Sequence, residues 1–344
     1  MSIRDVAAAA GVSYQTVSRV INGHPSVRPT TRDLVLATIK TLGFRPNRAA
    51  RALAGGPVQS VTVLTANTTL YGQSAALQGI EEAARQAGFA VGVRVVEPDA
   101  PGVVAEAVAK AVEPGGALIV IAYDKAGMQA LEALPPGVPA VAMVETPADG
   151  EAAGKPWVWV DDRRAGLEAT RYLLRLGHPT VHYVAIPSST RTSQRHEGWL
   201  AALTEAGAPV PAPVPCGWTP QSGYQAGREL AADPAVTAIL CGNDDLAVGV
   251  MRALHEAGRR IPADVSVVGF DGTPISEFLT PSLTTVRLDF VELGRACFDL
   301  LQGILAPTKP VPGTERPEPE LIIRESAGPP TLSRGSGPTR ATAT

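Results

Sequence analysis

From residue 58 onward, short apolar runs alternate with helix-length segments, and this alternation leaves few folds open. The clearest strand candidates are "SVTVLTA" (60–66), "AVGVRVV" (90–96), "ALIVIA" (117–122), "VPAVAMV" (138–144), "VHYVAI" (181–186), "VTAILC" (236–241) and "VSVVGF" (265–270). Helical stretches at 74–87, 103–112, 163–176, 195–206 and 244–257 lie between them. Regular βα alternation predicts parallel sheets covered by helices. A region of about 270 residues is long enough for two such lobes. "LTTVRLDFVELGRACFDLLQGI" (283–304) adds a strand and a late helix, and "ELIIRES" (320–326) a last strand. The tail 327–344 is rich in Gly, Pro, Ser and Thr and reads as disordered.

The opening segment follows other rules. "IRDVAAAAG" (3–11) sets Ile3, Val6, Ala7 and Ala10 at helical spacing, with Gly11 as a stop. Ser13 can cap a second helix running to Asn22. "TTRDLVLATIKTLG" (30–43) reads as a third, with Leu34, Ala37, Ile39 and Leu42 on its inner side and Gly43 ending it. Two short helices joined by a three-residue turn and buttressed by a third make a helix-turn-helix, expected over 1–45. "RPNRAARALAGG" (45–56) follows, and a two-turn helix within 46–57 is marginal in water by itself.

Charge separates the two regions. Residues 1–56 carry eight basic residues against Asp5 and Asp33, a net +6; the whole chain is −3, so the remaining 288 residues carry −9. A basic head on an acidic body suggests a polyanion-binding module. The second helix has side chains for that task. Arg can bind guanine O6 and N7 through two hydrogen bonds, and Gln adenine N6 and N7. Tyr offers a ring for a thymine methyl. Tyr14, Gln15 and Arg19 are therefore the expected base readers. Ser13, Thr16, Ser18 and Asn22 are suited to phosphate oxygens, while Val17 and Val20 should pack inward.

Other chemistries find little support. Cys216, Cys241 and Cys297 show no CxxC spacing, which fits a reducing cytoplasm. No basic segment followed by an apolar run opens the chain, and no uninterrupted apolar run of about 18 residues occurs, which argues against secretion and membrane spanning. There is no Walker A stretch and no GxSxG. His178 and His182 are four apart, but Pro179 and a strand pattern speak against a helical metal pair. The pairs Asp161–Asp162 and Asp244–Asp245 are the remaining candidates for acid–base work.

The head, "DVAAAAGVSYQTVSRVINGHPSVRPTTRDLVLATIKTLGFRPNRAARAL", closely resembles that of the LacI/GalR family of bacterial transcription regulators. The resemblance continues through "LGH" (176–178), "CGNDDLAVGVMRAL" (241–254), "IPADVSVVGFDGTP" (261–274) and "PSLTTVRLDFVELG" (281–294), to about residue 326. It implies an N-terminal helix-turn-helix head on a two-lobed, periplasmic-binding-protein-like α/β core, with an N-lobe from about 58–159 and 288–313 and a C-lobe from about 160–287 and 318–326, acting in the cytoplasm without catalysis, cofactor or metal. The implied partners are double-stranded operator DNA, a small saccharide effector and a second copy of the chain. Segment 46–57 matches the family's hinge helix, in which Leu53, with Ala54, wedges into the minor groove of the DNA. The effector positions fall on Leu70, Arg195, Trp218, Asn243, Asp271 and Phe290. Asn243 and Asp271 follow strands, where ligands of parallel sheets bind, and Arg195 follows the loop leaving another. Val144 stands where the family often has Asp, with Glu145 one position later, and Leu288 stands where an amide side chain can occur. Both acidic pairs match positions where the family carries acidic residues without catalysis. One guanidinium beside one carboxylate implies a roughly neutral pocket. The tail "SAGPPTLSRGSGPTRATAT" cannot form a coiled coil, so a dimer rather than a tetramer is expected.

Overall fold

The computed structural model describes residues 2–21, 26–44, 60–96, 101–112, 116–145, 156–188, 193–306 and 318–331. It divides into two units, Met1–Val58 and Gln59–Thr344. The expected hinge segment 46–57, with Leu53 and Ala54, lies outside the described residues, as does Asn22.

The first unit has three helices, α1 (Ile3–Ala9), α2 (Tyr14–Ile21) and α3 (Pro29–Leu42). A reciprocal capping box between Ser2 and Asp5 starts α1. The Ser13 hydroxyl accepts from the Thr16 amide at 3.2 Å and starts α2. Gly43, in the left-handed conformation, ends α3. Val6, Ala7, Ala10, Val17, Val20 and Val35 form the core. The inner face of α3 differs from the sequence expectation: Leu34 is 51% exposed and Ala37 faces solvent. The buried stripe runs instead through Val35, Ile39 and Leu42, an i, i+4, i+7 series. Apolar residues occupy two neighbouring stripes of this helix, and sequence periodicity does not say which one meets α1 and α2.

The second unit has two sheets. β1 (Ser60–Thr65), β2 (Ala90–Val95), β3 (Ala117–Ala122), β4 (Ala140–Val144) and β5 (Trp157–Trp159) form the first, in the order β2-β1-β3-β4-β5 and all parallel. α4 (Tyr71–Gln86), α5 (Pro101–Ala111) and α6 (Lys125–Glu132) are its crossovers. β6 (His182–Ala185), β7 (Val214–Pro215), β8 (Ala238–Cys241), β9 (Ser266–Asp271), β10 (Thr284–Arg287) and β11 (Glu320–Ile322) form the second, ordered β11-β10-β9-β8-β6-β7. Only β11 runs antiparallel, on β10, among these described strands. α7 (Asp162–Arg175), α8 (Gln194–Glu205), α9 (Pro220–Ala231) and α10 (Asp244–Glu256) pack around this sheet. α11 (Phe290–Leu305) packs on α4 of the first lobe. The chain therefore passes between lobes at Val160–Asp161, at Leu288–Asp289 and again between α11 and β11.

Three helix pairs are in very close contact, α4 with α11, α7 with α8, and α9 with α10. A Cβ on Gly79 would lie 1.9 Å from the Val291 carbonyl, on Gly198 2.0 Å from that of Arg163, and on Gly249 2.0 Å from that of Pro220. Only glycine permits such approach.

The chain is ordered beyond β11. Ser326 is fully buried, accepting from the Thr284 amide at 2.8 Å and donating to the Val267 carbonyl at 2.6 Å. The Gly328 carbonyl lies 3.0 Å from His178 Nε2, and the Thr331 hydroxyl donates to Ala263 O. Disorder expected from residue 327 is thus corrected for 327–331. A composition rich in Gly and Pro does not reveal that this strap saturates polar groups of the second lobe.

Candidate functional site

On α2, Tyr14 is 52% exposed, Gln15 and Arg19 are exposed with it, and Val17 and Val20 are buried. The valines fix the helix against the core, so the polar residues at its start face outward. The hydroxyls of Ser13 and Thr16 are 2.9 Å apart at the same end.

A cleft of about 650 Å³, counting its open mouth, lies where the carboxyl ends of both sheets meet. Leu70, Arg195, Trp218, Asn243, Asp271 and Phe290 all line it, so the fold brings the six expected effector residues together. Val144, Glu145 and Leu288 line it as well. Tyr123, Asp162, Asp245 and Thr273 were not singled out as ligand residues by the sequence, and they too face it.

Arg195 is the centre. It is 6% exposed and sits in the first turn of α8, behind the Ser193 cap. Its Nε donates to Asp162 Oδ2 at 3.2 Å, its Nη1 lies 2.9 Å from Asp271 Oδ1, and Nη1 donates to the Gly242 carbonyl at 2.5 Å. The guanidinium carbon lies 4.0 Å from the Phe270 ring centroid, a cation–π contact. Burial works against the Arg195 charge, but the Asp162 and Asp271 carboxylates outweigh it and raise its pKa. Asp271 has φ of 100°, uncommon for a residue with a side chain, and this strain fixes where its carboxylate points.

Asn243 is partly committed. Its Oδ1 caps α10 by accepting from the Leu246 amide at 2.8 Å, and its Nδ2 donates to the Trp218 carbonyl at 3.1 Å. An amide carries two N–H donors, so a second is available beside this bond. Phe290 stands edge-on to Tyr71 and Tyr123, with centroids 6.0 and 6.2 Å apart.

The acidic pairs resolve into separate roles. Asp161 caps α7 through the Arg164 amide, while Asp162 pairs with Arg195. Asp244 is buried and accepts from Thr273, Ser276 and Thr285, and Asp245 faces the cleft. The expectation of one carboxylate beside one guanidinium is corrected: Asp162 and Asp271 both pair with Arg195, Glu145 and Asp245 line the same cleft, and carboxyl groups outnumber the guanidinium. The sequence could show Asp162 only as half of a pair, because its pairing with Arg195 crosses from α7 to α8.

Burial pushes Glu145 up to about 7, reinforced by the Asp162 charge and only partly offset by Arg195 and Ser188. Burial likewise raises Asp271 to about 7 against the attraction of Arg195. A carboxyl group raised in the native state stabilises the fold at low pH and loses that contribution as pH rises through the native value. Burial lowers His178, His182 and His196, which act in the opposite sense. The expected signature is therefore a difference. Glu145→Gln should melt like the wild type at about pH 5 and above it at about pH 8, each pKa unit being worth about 1.4 kcal/mol. Melting curves that stay parallel from pH 5 to 8 would contradict it.

An exposed polar helix start in a basic three-helix unit, carried with a two-lobed α/β unit whose cleft is polar and aromatic, is the arrangement of a DNA-binding regulator that also holds a ligand cleft. Comparison with known proteins agrees. Residues 2–47 match the bacterial regulatory proteins of the lacI family, and residues 170–327 a periplasmic binding protein-like domain. The lactose operon repressor of Escherichia coli (strain K12) is 34% identical, over 98% of this chain and 93% of its own. The ribose operon repressor of the same strain is 30% identical, over 89% and 94%. A crystal structure of the lac repressor dimer bound to operator and the anti-inducer ONPF superimposes with a TM-score of 0.84 at 32% identity, covering 95% of this chain and 99% of that one. A complex of the regulator CelR with cellobiose gives 0.68 at 27%, covering 95% and 100%. The chain belongs to the LacI family of transcriptional regulators.

Proposed function

We propose that this protein is a cytoplasmic homodimeric repressor of sugar-utilisation genes, released from a palindromic operator by a neutral saccharide, with a galactoside as first candidate. The carrying observation is the Arg195 cluster in a cleft lined from both lobes. Buried carboxylates, a guanidinium and an amide together match neighbouring sugar hydroxyls, which donate and accept. Trp218 and Phe290 are suited to the apolar face of a pyranose. The net negative lining disfavours a phosphate or a carboxylate as ligand. Relatives named for lactose and ribose operons, and a neighbour holding cellobiose, favour the same class. The test is operator binding with and without a panel of saccharides, beside an assay for sugar turnover. Release by one sugar without turnover supports the reading. A sugar carrier on the same core would bind sugar and no operator.

Tyr14, Gln15 and Arg19 read bases in this proposal, and Ser13, Thr16, Ser18 and Asn22 touch the DNA backbone. Leu53 and Ala54 form the minor-groove wedge. The operator is expected to resemble the lac operator, with a CG step near its centre. Arg19→Ala should weaken binding by about 1–3 kcal/mol per half-site and relax discrimination at one guanine. Selection from random DNA that returned a non-palindromic site would contradict this.

The dimer is proposed to pair along the lobes. Phe278 is 74% and Ile275 54% exposed on the 3-10 helix Pro274–Phe278, and Val93 and Val95 are each 50% exposed on edge strand β2. Exposed apolar groups of this size are suited to a partner surface. Sedimentation should give a dimer that survives deletion of residues 332–344. A tetramer would require another interface.

A further inference from the structure

Besides Asp271 Oδ1, which is ion-paired with Arg195, two buried polar atoms of the cleft have no hydrogen-bond partner among the described residues, the Tyr123 hydroxyl and Asp162 Oδ1. Tyr123 follows β3 in the first lobe, and Asp162 opens α7 in the second. Both line the cleft, and Asp162 is 6% exposed. Burial and then the Asp162 charge push the Tyr123 hydroxyl well above its usual pKa, so it stays a proton donor. The other Asp162 oxygen is already bound to Arg195 Nε, so Oδ1 is the free acceptor of an anchored carboxylate. The Tyr123 ring is held edge-on by Phe290, which limits where its hydroxyl can move.

A buried polar group left unpaired costs about 1–3 kcal/mol, and chains rarely keep one without a purpose. Here a donor on one lobe and an acceptor on the other face the same space. We propose that Tyr123 and Asp162 form a hydroxyl-recognising subsite that bridges the lobes, in which one ligand hydroxyl donates to Asp162 Oδ1 and accepts from the Tyr123 hydroxyl. An ether or a methylene cannot do both. The subsite selects a sugar with a free hydroxyl at one ring position, and it engages fully only when both lobes contact the ligand. This inference rests on the saccharide reading of the cleft.

The experiment is calorimetric titration of wild type and Tyr123→Phe with D-galactose, D-glucose, methyl β-D-galactopyranoside and the monodeoxy derivatives of the tightest binder. In the wild type, one deoxy position should lose about 10- to 100-fold in affinity through this subsite. In Tyr123→Phe the penalty at that position should shrink about fivefold or more, while penalties at the other positions stay. A purely packing role for Tyr123 would weaken all the sugars alike. The free Tyr123→Phe protein should melt no lower than wild type, because the variant removes an unpaired buried hydroxyl and leaves the ring. Asp162→Asn, read against the same panel, should diminish the penalty at the same carbon. If the sugars bind but Tyr123→Phe leaves every deoxy penalty unchanged, the subsite is wrong and the saccharide reading stands. If the wild type binds none of the panel, the saccharide reading fails and the subsite with it.

Discussion

Replacing Arg195 by alanine is expected to abolish effector binding and to destabilise the second unit by about 3–5 kcal/mol, the usual cost of removing one partner from a buried ion pair. The guanidinium is held by Asp162, Asp271 and the Gly242 carbonyl, and it lies on Phe270. Its removal leaves two buried carboxylates, Asp162 and Asp271, without their cation. Protonation offers them an escape, and Asp271 already titrates near 7. The loss of stability should therefore be smaller near pH 5 than near pH 8. Arg195→Lys keeps the charge but cannot reach the same partners with a planar fork, so it should recover stability before binding. Calorimetry with the saccharide panel and thermal melts at both pH values decide this. Unchanged affinity in Arg195→Ala would remove Arg195 from the site.

Operator affinity should fall by about three orders of magnitude or more between roughly 50 and 200 mM salt, as expected when 6–10 phosphates are neutralised. Each head carries +6 and a dimer brings two, while the remaining residues of each chain carry −9. The acidic remainder does not contribute to phosphate binding, so the slope should belong to the heads. A log–log plot of affinity against salt measures it, and a flat line would contradict the assignment of the basic segment.

Much of this architecture was legible because strands such as "ALIVIA" and "AILC" are apolar along their whole length, which parallel burial demands. The missed elements have a physical cause. α6 contains Gly127, and α9 contains Gly223 and Gly227. Glycine lowers helix propensity, and in α6, only eight residues long, and α9, with two glycines one turn apart, it outweighs the helical pattern, yet the neighbours there approach too closely for any other residue. β5 and β7 are three and two residues long and carry almost no periodic signal. In the cleft, residues that directly follow strands could be placed from the sequence: Asn243 after β8 and Asp271 at the end of β9. Tyr123 also follows a strand, but a lone aromatic there is indistinguishable from core. Pairing across helices, as between Asp162 and Arg195, is not written in any local pattern.

Two of the places where the chain passes between lobes are flanked by residues of the cleft: Val160 and Asp162 at one, Leu288 and Phe290 at the other. A ligand bound in the cleft would thus sit at a fulcrum, between two lobes whose helices pack in close pairs at glycines. Levers magnify. A displacement of a fraction of an ångström at the fulcrum becomes several times larger at the far edge of each stiff sheet, in proportion to its distance from the pivot. By this geometry an effector of only a dozen atoms would move a remote surface of the lobes with little deformation between.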